Sequence, residues 1–254
     1  MNIVIPDTKK QVLSKTTKMR LALNNNEPQK LSQIYSFSLT AGKTCIGATY
    51  KKNHKCTKCY AQKGSYSWTP VRTAQDARTQ WTVEAHKVGN ISALNKWYEV
   101  MRTAIHWATI KRNVPFFRIH DSGDFMNHMY VESWIQLATE FSSVHFWSPT
   151  SSYPEQAHEN VQDFLATLLP HLREFASLPN VALRPSCREM GLGNLIPVDG
   201  FAAPTGVITK KELELMNAEL NTVLVCPSSK WGNVCRTCNS CWTEKDLSKY
   251  YIQH

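Results

Sequence analysis

Seven of the eight cysteines in this 254-residue chain sit in two tight groups, and their placement constrains the fold more than any other feature. The first group is Cys45, Cys56 and Cys59, in the run from Lys43 to Tyr60. The second is Cys226, Cys235, Cys238 and Cys241, near the carboxyl end. In a reducing compartment, thiols at such spacing hold a metal or do redox work. The amino-terminal run from Met1 to Lys10 lacks the apolar stretch and small-residue cleavage site of a secretory signal. No run of about eighteen apolar residues is present, so no membrane helix is expected. A cytoplasmic location without a disulfide framework is therefore the expectation.

The run Cys235-x2-Cys238-x2-Cys241 places three sulfurs on one winding loop, a spacing that serves cubane iron–sulfur clusters. Zinc more often takes paired knuckles separated by a longer stretch, yet four thiolates including Cys226 would also satisfy it. The amino-terminal group has three cysteines only. On a 4Fe-4S cubane, three ligands leave one iron for water, substrate or a fourth residue, with His54 and Cys187 as candidates. Tyr60, directly after Cys59, is placed to shield a cluster from solvent or to pack in the ordinary way.

Hydrophobic patterning alternates strands and helices. Tyr35 to Leu39, Val114 to Ile119, Val144 to Trp147, Val181 to Arg184 and Thr222 to Val225 read as strands. Helices are expected from Thr69 to Gly89, with Thr69 as N-cap, and from Ser92 to Ala108. Others are expected around Tyr130 to Phe141 and from Pro154 to Phe175, broken at Pro170. A last one starts at a Thr209–Glu212 capping box and carries Leu213, Met216 and Leu220. The pattern predicts an α/β fold with parallel strands and crossover helices, a partial or irregular (β/α) barrel with cysteine-rich loops at the strand carboxyl ends. Residues 1–30 read as a basic polar leader, 31–225 as the α/β partial barrel with its amino-terminal cysteine loop, and 226–254 as a carboxy-terminal cysteine-rich segment.

In parallel α/β folds ligands bind where strand carboxyl ends converge. The segment after the second expected strand, His120-Asp121-Ser122-Gly123-Asp124, is the candidate catalytic loop. His120, Asp121 and Asp124 supply titratable groups, Ser122 a hydroxyl and Gly123 close backbone approach. The alternative is structural, with Asp124 capping a helix and Asp121 paired to Arg118. Arg184 and Arg188 could hold a carboxylate or phosphate, or make ordinary salt bridges. The formal charge of +9 suits an acidic partner such as nucleic acid, but the basic residues are scattered, with pairs at Lys9-Lys10, Lys51-Lys52 and Lys210-Lys211.

The runs Tyr35-Ser-Phe-Ser-Leu39, Gly42-Lys-Thr-Cys45, Cys56-x-x-Cys59-Tyr60, Arg118 to Phe125 and Cys226-Pro227 through Trp242 together resemble the phage gene-product-88-like proteins. That resemblance implies a viral protein acting in the host cytoplasm. More distantly, three cysteines after a first strand are similar to those of radical S-adenosylmethionine enzymes. That likeness implies a 4Fe-4S cluster on Cys45, Cys56 and Cys59, S-adenosylmethionine on its open iron, and further clusters on carboxy-terminal cysteines. The catalytic loop would then lie near the cofactor, with Tyr60, Gly123 and Arg184 as cofactor-binding residues. The ten-residue gap between Cys45 and Cys56 is longer than is common there, and no Gly-Gly-Glu stretch follows the second strand. The reading is a redox or radical iron–sulfur protein with an unknown redox partner or small-molecule substrate and no membrane. The alternatives are a metal-stapled, non-enzymatic protein binding nucleic acid or a host protein, and a simple electron carrier.

Overall fold

The computed structural model describes residues 12–24, 26–48, 54–216, 223–232 and 234–252. The basic pairs Lys9-Lys10 and Lys51-Lys52, and the positions of Leu220 and Thr222, lie outside the described residues. Two strands come first, β1 (Ser14–Ala22) and β2 (Leu31–Phe37), followed by helices α1 (Thr69–Ala85) and α2 (Ile91–Ala108). Then β3 (Phe116–Ile119), α3 (His128–Glu140), β4 (His145–Thr150), α4 (Glu159–Ser177) and β5 (Val181–Pro185) alternate. The chain closes with β6 (Thr205–Ile208), α5 (Lys210–Met216), β7 (Val223–Val225), α6 (Ser240–Thr243) and β8 (Ser248–Ile252).

The fold is mixed α/β with mostly parallel strands. One sheet has the order β1-β2-β3-β4-β5, in which only β1 is antiparallel to its neighbour; a smaller parallel sheet has the order β6-β8-β7. The larger sheet is open, with β1 and β5 at its ends. Single bridges Ser186–Thr205 and Leu21–Arg236 tie it to the smaller sheet and to the carboxy-terminal segment.

Strand residues alternate between two faces, as the pleat requires. Phe37, Phe117, Ile119, Phe146, Val181 and Leu183 join the core formed with Trp97, Trp134, Leu137, Leu172 and Phe175 of the helices. Met19, Leu21, Ile34, Phe116 and Trp147 form a second cluster, which receives Trp242 of α6. The Trp242 ring lies 5.5 Å from Phe116 and 5.2 Å from Trp147, and its Nε1 donates to Phe117 O at 2.9 Å.

Several expectations change. Residues 14–22, read as part of a loosely packed leader, form β1, with Met19 and Leu21 buried. Its charged residues are those of an edge strand, where they discourage pairing with other chains. β6 and β8 lie where the patterning marked no strand. Trp68, not Thr69, is the N-cap of α1, with Pro70 in the first turn. Pro170 lies inside α4. Both Pro170 and Ala166 are exposed, so the carbonyl left without its helical partner can meet water.

His120 also departs from expectation. At the end of β3 the chain turns with His120 at φ 61°, a conformation that histidine tolerates better than most residues. The turn swings residues 121–124 across the strand ends and leaves the imidazole in the helix-side core. There it packs 4.6 Å from Phe125 and bonds Tyr130 Oη at 2.8 Å. Burial, followed by the charge of Arg118, lowers its pKa to about 3. His86 in the same core bonds Thr82 O and Ser133 Oγ, and burial lowers its pKa to about 4. His120 is thus packed in the core, bonded through Nε2 to Tyr130, while its buried Nδ1 has no partner among the described residues.

Two outcomes follow. Both histidines are neutral when folded and regain an ordinary pKa near 6.5 when unfolded. The unfolded chain therefore binds more protons below about pH 6.5, and stability falls from there toward pH 3–4 by about 1.4 kcal/mol per pH unit and histidine. Urea midpoints should drop between about pH 7 and 5 and drop less in the His86→Gln/His120→Asn variant; a level profile in the parent chain refutes this. Trp242→Ala should cost roughly 3–5 kcal/mol and expose residues 226–252 to protease before the helix-side core.

Candidate metal centres at the strand ends

The amino-terminal cysteine loop joins β2 to α1 and is pinned from three sides. Leu39 N donates to Ser122 O at 2.9 Å, and Ser122 Oγ donates to Leu39 O at 2.6 Å. Gly123, at φ 83°, lies so close that a Cβ there would stand 2.6 Å from Leu39 Cβ and 2.8 Å from Thr44 Oγ1. Arg188 donates to the carbonyls of Gly47, Ser151, Tyr153 and Glu155. A Cβ on Gly47 would fall 1.8 Å from Ser151 O, so only glycine permits this approach. Lys55 Nζ donates to Ser151 Oγ at 2.7 Å and Ser186 O at 2.9 Å. Loops following β2, β3, β4 and β5 are thereby tied together.

Within this knot Cys45, Cys56 and Cys59 interact electrostatically. Burial first, then the charge of Asp124, with smaller contributions from Cys56 and Cys59, pushes the Cys45 thiol up to about 12. Gly42 N points at Cys45 Sγ at 3.4 Å, a donor that favours the thiolate. His54 Nδ1 accepts from Cys56 N at 3.1 Å. Its proton then resides on Nε2, which has no partner among the described residues; it presents a donor rather than a lone pair, and so does not serve as a ligand as placed. Cys187 is buried, and Lys55 feels the charge of both Cys187 and Cys56.

The candidate catalytic residues have structural partners. Asp124 is buried and accepts from Thr150 Oγ1 and Ser151 N, each at 2.7 Å, and from Phe125 N at 2.9 Å. Burial raises its pKa against those bonds. It organises the loop after β4 and does not cap α3, whose N-cap is Asn127. Asp121 pairs with Arg118 at 2.5 Å and accepts from the Tyr66 hydroxyl. Ser122 Oγ also accepts from Gln75 Nε2 at 2.9 Å. Tyr60 keeps 57% of its surface exposed while turning its hydroxyl onto Asp121 O. Arg118 Nη2 donates to that hydroxyl at 3.3 Å, and the guanidinium lies 4.4 Å above the Trp147 ring.

Arg184, expected at a cofactor, is wholly buried and gives its donors to five carbonyls: Ala203, Ser240, Cys241, Glu244 and Leu247. No donor remains for a ligand carboxylate or phosphate. Its role is to dock the carboxy-terminal segment. Backbone bonds Arg236 N to Arg20 O (3.0 Å) and Ala22 N to Arg236 O (2.7 Å) hold the same segment along β1.

Docked there, Cys226, Cys235, Cys238 and Cys241 line one small, partly open cavity of about 20 Å³ with Ser228, Ser240 and Lys249. Three sulfurs have hydroxyl partners: Cys226 with Ser228 Oγ (3.2 Å), Cys238 with Ser240 Oγ (3.2 Å) and Cys241 with Tyr251 Oη (3.4 Å). Burial, then the charges of Cys241, Cys226 and Cys238, pushes the Cys235 thiol up to about 12. All eight cysteines are free thiols. Among the described residues, no group of three or more His, Cys, Asp or Glu is arranged to hold a single metal ion.

Sequence reasoning passed over Lys55, Tyr66, Lys249 and the three hydroxyls. Two of the hydroxyls do carry a readable signal: Ser228 and Ser240 each stand two residues after a cysteine, where a short side chain reaches back to the sulfur. Lys249 and Tyr251 belong to β8, which local patterning did not reveal.

No curated protein and no solved structure matches the chain. The family model described as gene product 88 matches residues 10–244, from before β1 through α6, and so spans both cysteine groups and the loop after β3. The chain therefore belongs to the gene product 88 family.

Proposed function

We propose that the chain is a phage iron–sulfur protein of the host cytoplasm, with a 4Fe-4S cluster on Cys226, Cys235, Cys238 and Cys241 and another on Cys45, Cys56 and Cys59. The observation that carries this reading is the gathering of four cysteines around one cavity, three of them with hydroxyl partners. Such donors offset the charge of ligating thiolates and raise the reduction potential of the centre they surround. The repeated two-residue gaps between Cys235, Cys238 and Cys241 favour a cubane over zinc, which more often takes paired knuckles separated by a longer stretch.

Held by Cys45, Cys56 and Cys59 alone, such a cluster would keep one iron open and would supply redox or radical chemistry there. In this protein the chain's own residues would set what reaches it. Arg188 and Gly47 hold the loop against the strand ends, and Asp124 places a negative charge near Cys45. Tyr60 and Tyr66 close over the Arg118–Asp121 pair. S-adenosylmethionine would be the candidate cofactor there only by the distant likeness of the three-cysteine loop to radical S-adenosylmethionine enzymes.

Anaerobic purification should yield a brown protein with acid-labile sulfide and visible absorbance bleached by dithionite. Cys238→Ser and Cys56→Ser should each remove about half of the iron. A colourless wild-type protein containing zinc and no sulfide refutes the reading. Calorimetric titration should detect S-adenosylmethionine binding to wild type and Cys238→Ser but not to Cys56→Ser; equal binding by all three refutes its assignment to the amino-terminal centre.

A further inference from the structure

Lys249 lies in β8, the middle strand of the smaller sheet, registered against Thr205 of β6 and Leu224 of β7. Its side chain is 1% exposed, and its Nζ has no hydrogen-bond partner among the described residues. The same side chain lines the cavity of the four carboxy-terminal cysteines, and the charges of Cys241 and Cys238 act on it.

An ammonium group has three hydrogens to donate and no lone pair, so burying it without an acceptor is costly. The neighbouring cation Arg184 adds repulsion instead of relief. What would satisfy it is negative charge inside the cavity. Four thiolates outweigh the charge of a divalent ion or of an oxidised cubane, leaving a net negative centre. The hydroxyls of Ser228, Ser240 and Tyr251 each meet one sulfur, but none of them carries a positive charge.

We propose that Lys249 is the resident counter-charge of the metal–thiolate centre on Cys226, Cys235, Cys238 and Cys241, donating its ammonium hydrogens to ligand sulfur and favouring the more reduced state of that centre. The redox half rests on the iron–sulfur reading above; the charge pairing does not.

The test compares wild type, Lys249→Met and Lys249→Arg as full-length chains, loaded anaerobically with iron and sulfide and titrated with dithionite under paramagnetic resonance. Circular dichroism checks the fold, and Lys249→Gln replaces the methionine variant if that one unfolds. Loss of the charge should move the carboxy-terminal cluster to a more negative potential by at least tenfold in its equilibrium constant, about 59 mV for one electron. Lys249→Arg should restore most of the shift, and the amino-terminal cluster should stay unmoved as the internal reference. Unchanged potential at full iron content overturns the proposal. If wild type takes up zinc but no sulfide, the iron–sulfur reading falls while Lys249 is still tested: chelator competition should find zinc held at least tenfold more weakly in Lys249→Met, and equal retention overturns the pairing. A wild-type chain that holds neither metal overturns both.

Discussion

Arg184 sits in β5 with no exposed surface, and burying a guanidinium costs several kcal/mol unless its hydrogens are met. The five carbonyls that meet them come from Ala203 and from a stretch, Ser240 to Leu247, with a single short helix of its own. A segment so poor in regular structure has few ways to satisfy its backbone. The buried arginine does for it what a sheet neighbour would do for a strand. Trp242 then fills the inner face of the sheet, and four cysteines arrive at one cavity.

Four residues later Arg188 repeats the device on the other loop, gathering the carbonyls of Gly47, Ser151, Tyr153 and Glu155. One strand exit thus organises both cysteine groups. Arg118 lies between them in space, bonded to Asp121 and Tyr60 on one side and acting on Cys235 on the other. Substitutions here are expected to couple, because these groups share partners within one polar network.

Charge runs through the same architecture. Cys45, Cys235 and Cys241 are all raised, with burial the leading cause, so these thiols are neutral near pH 7. Ligation would convert neutral sulfur to thiolate beside Lys55, Arg118 and Lys249, and so absorb part of the +9 formal charge. The excess of basic residues therefore need not point to a nucleic-acid surface.

The sequence by itself determined the α/β alternation, the core-facing stripes of α2 and α3, the capping box at Thr209 and the two groups of cysteines, because these signals repeat over short distances in the chain. It also carried the Arg118–Asp121 pair as the bland alternative to a catalytic role. Tertiary structure alone decided that His120 turns into the core, that Arg184 holds carbonyls rather than a cofactor, and that a lysine in β8 enters the cysteine cavity. β8 was hidden for a related reason: its lysine reads as solvent-facing until a cavity gives it a buried setting. Local periodicity reports which residues avoid water; it carries no information about which distant backbone will supply a buried charge with its partners.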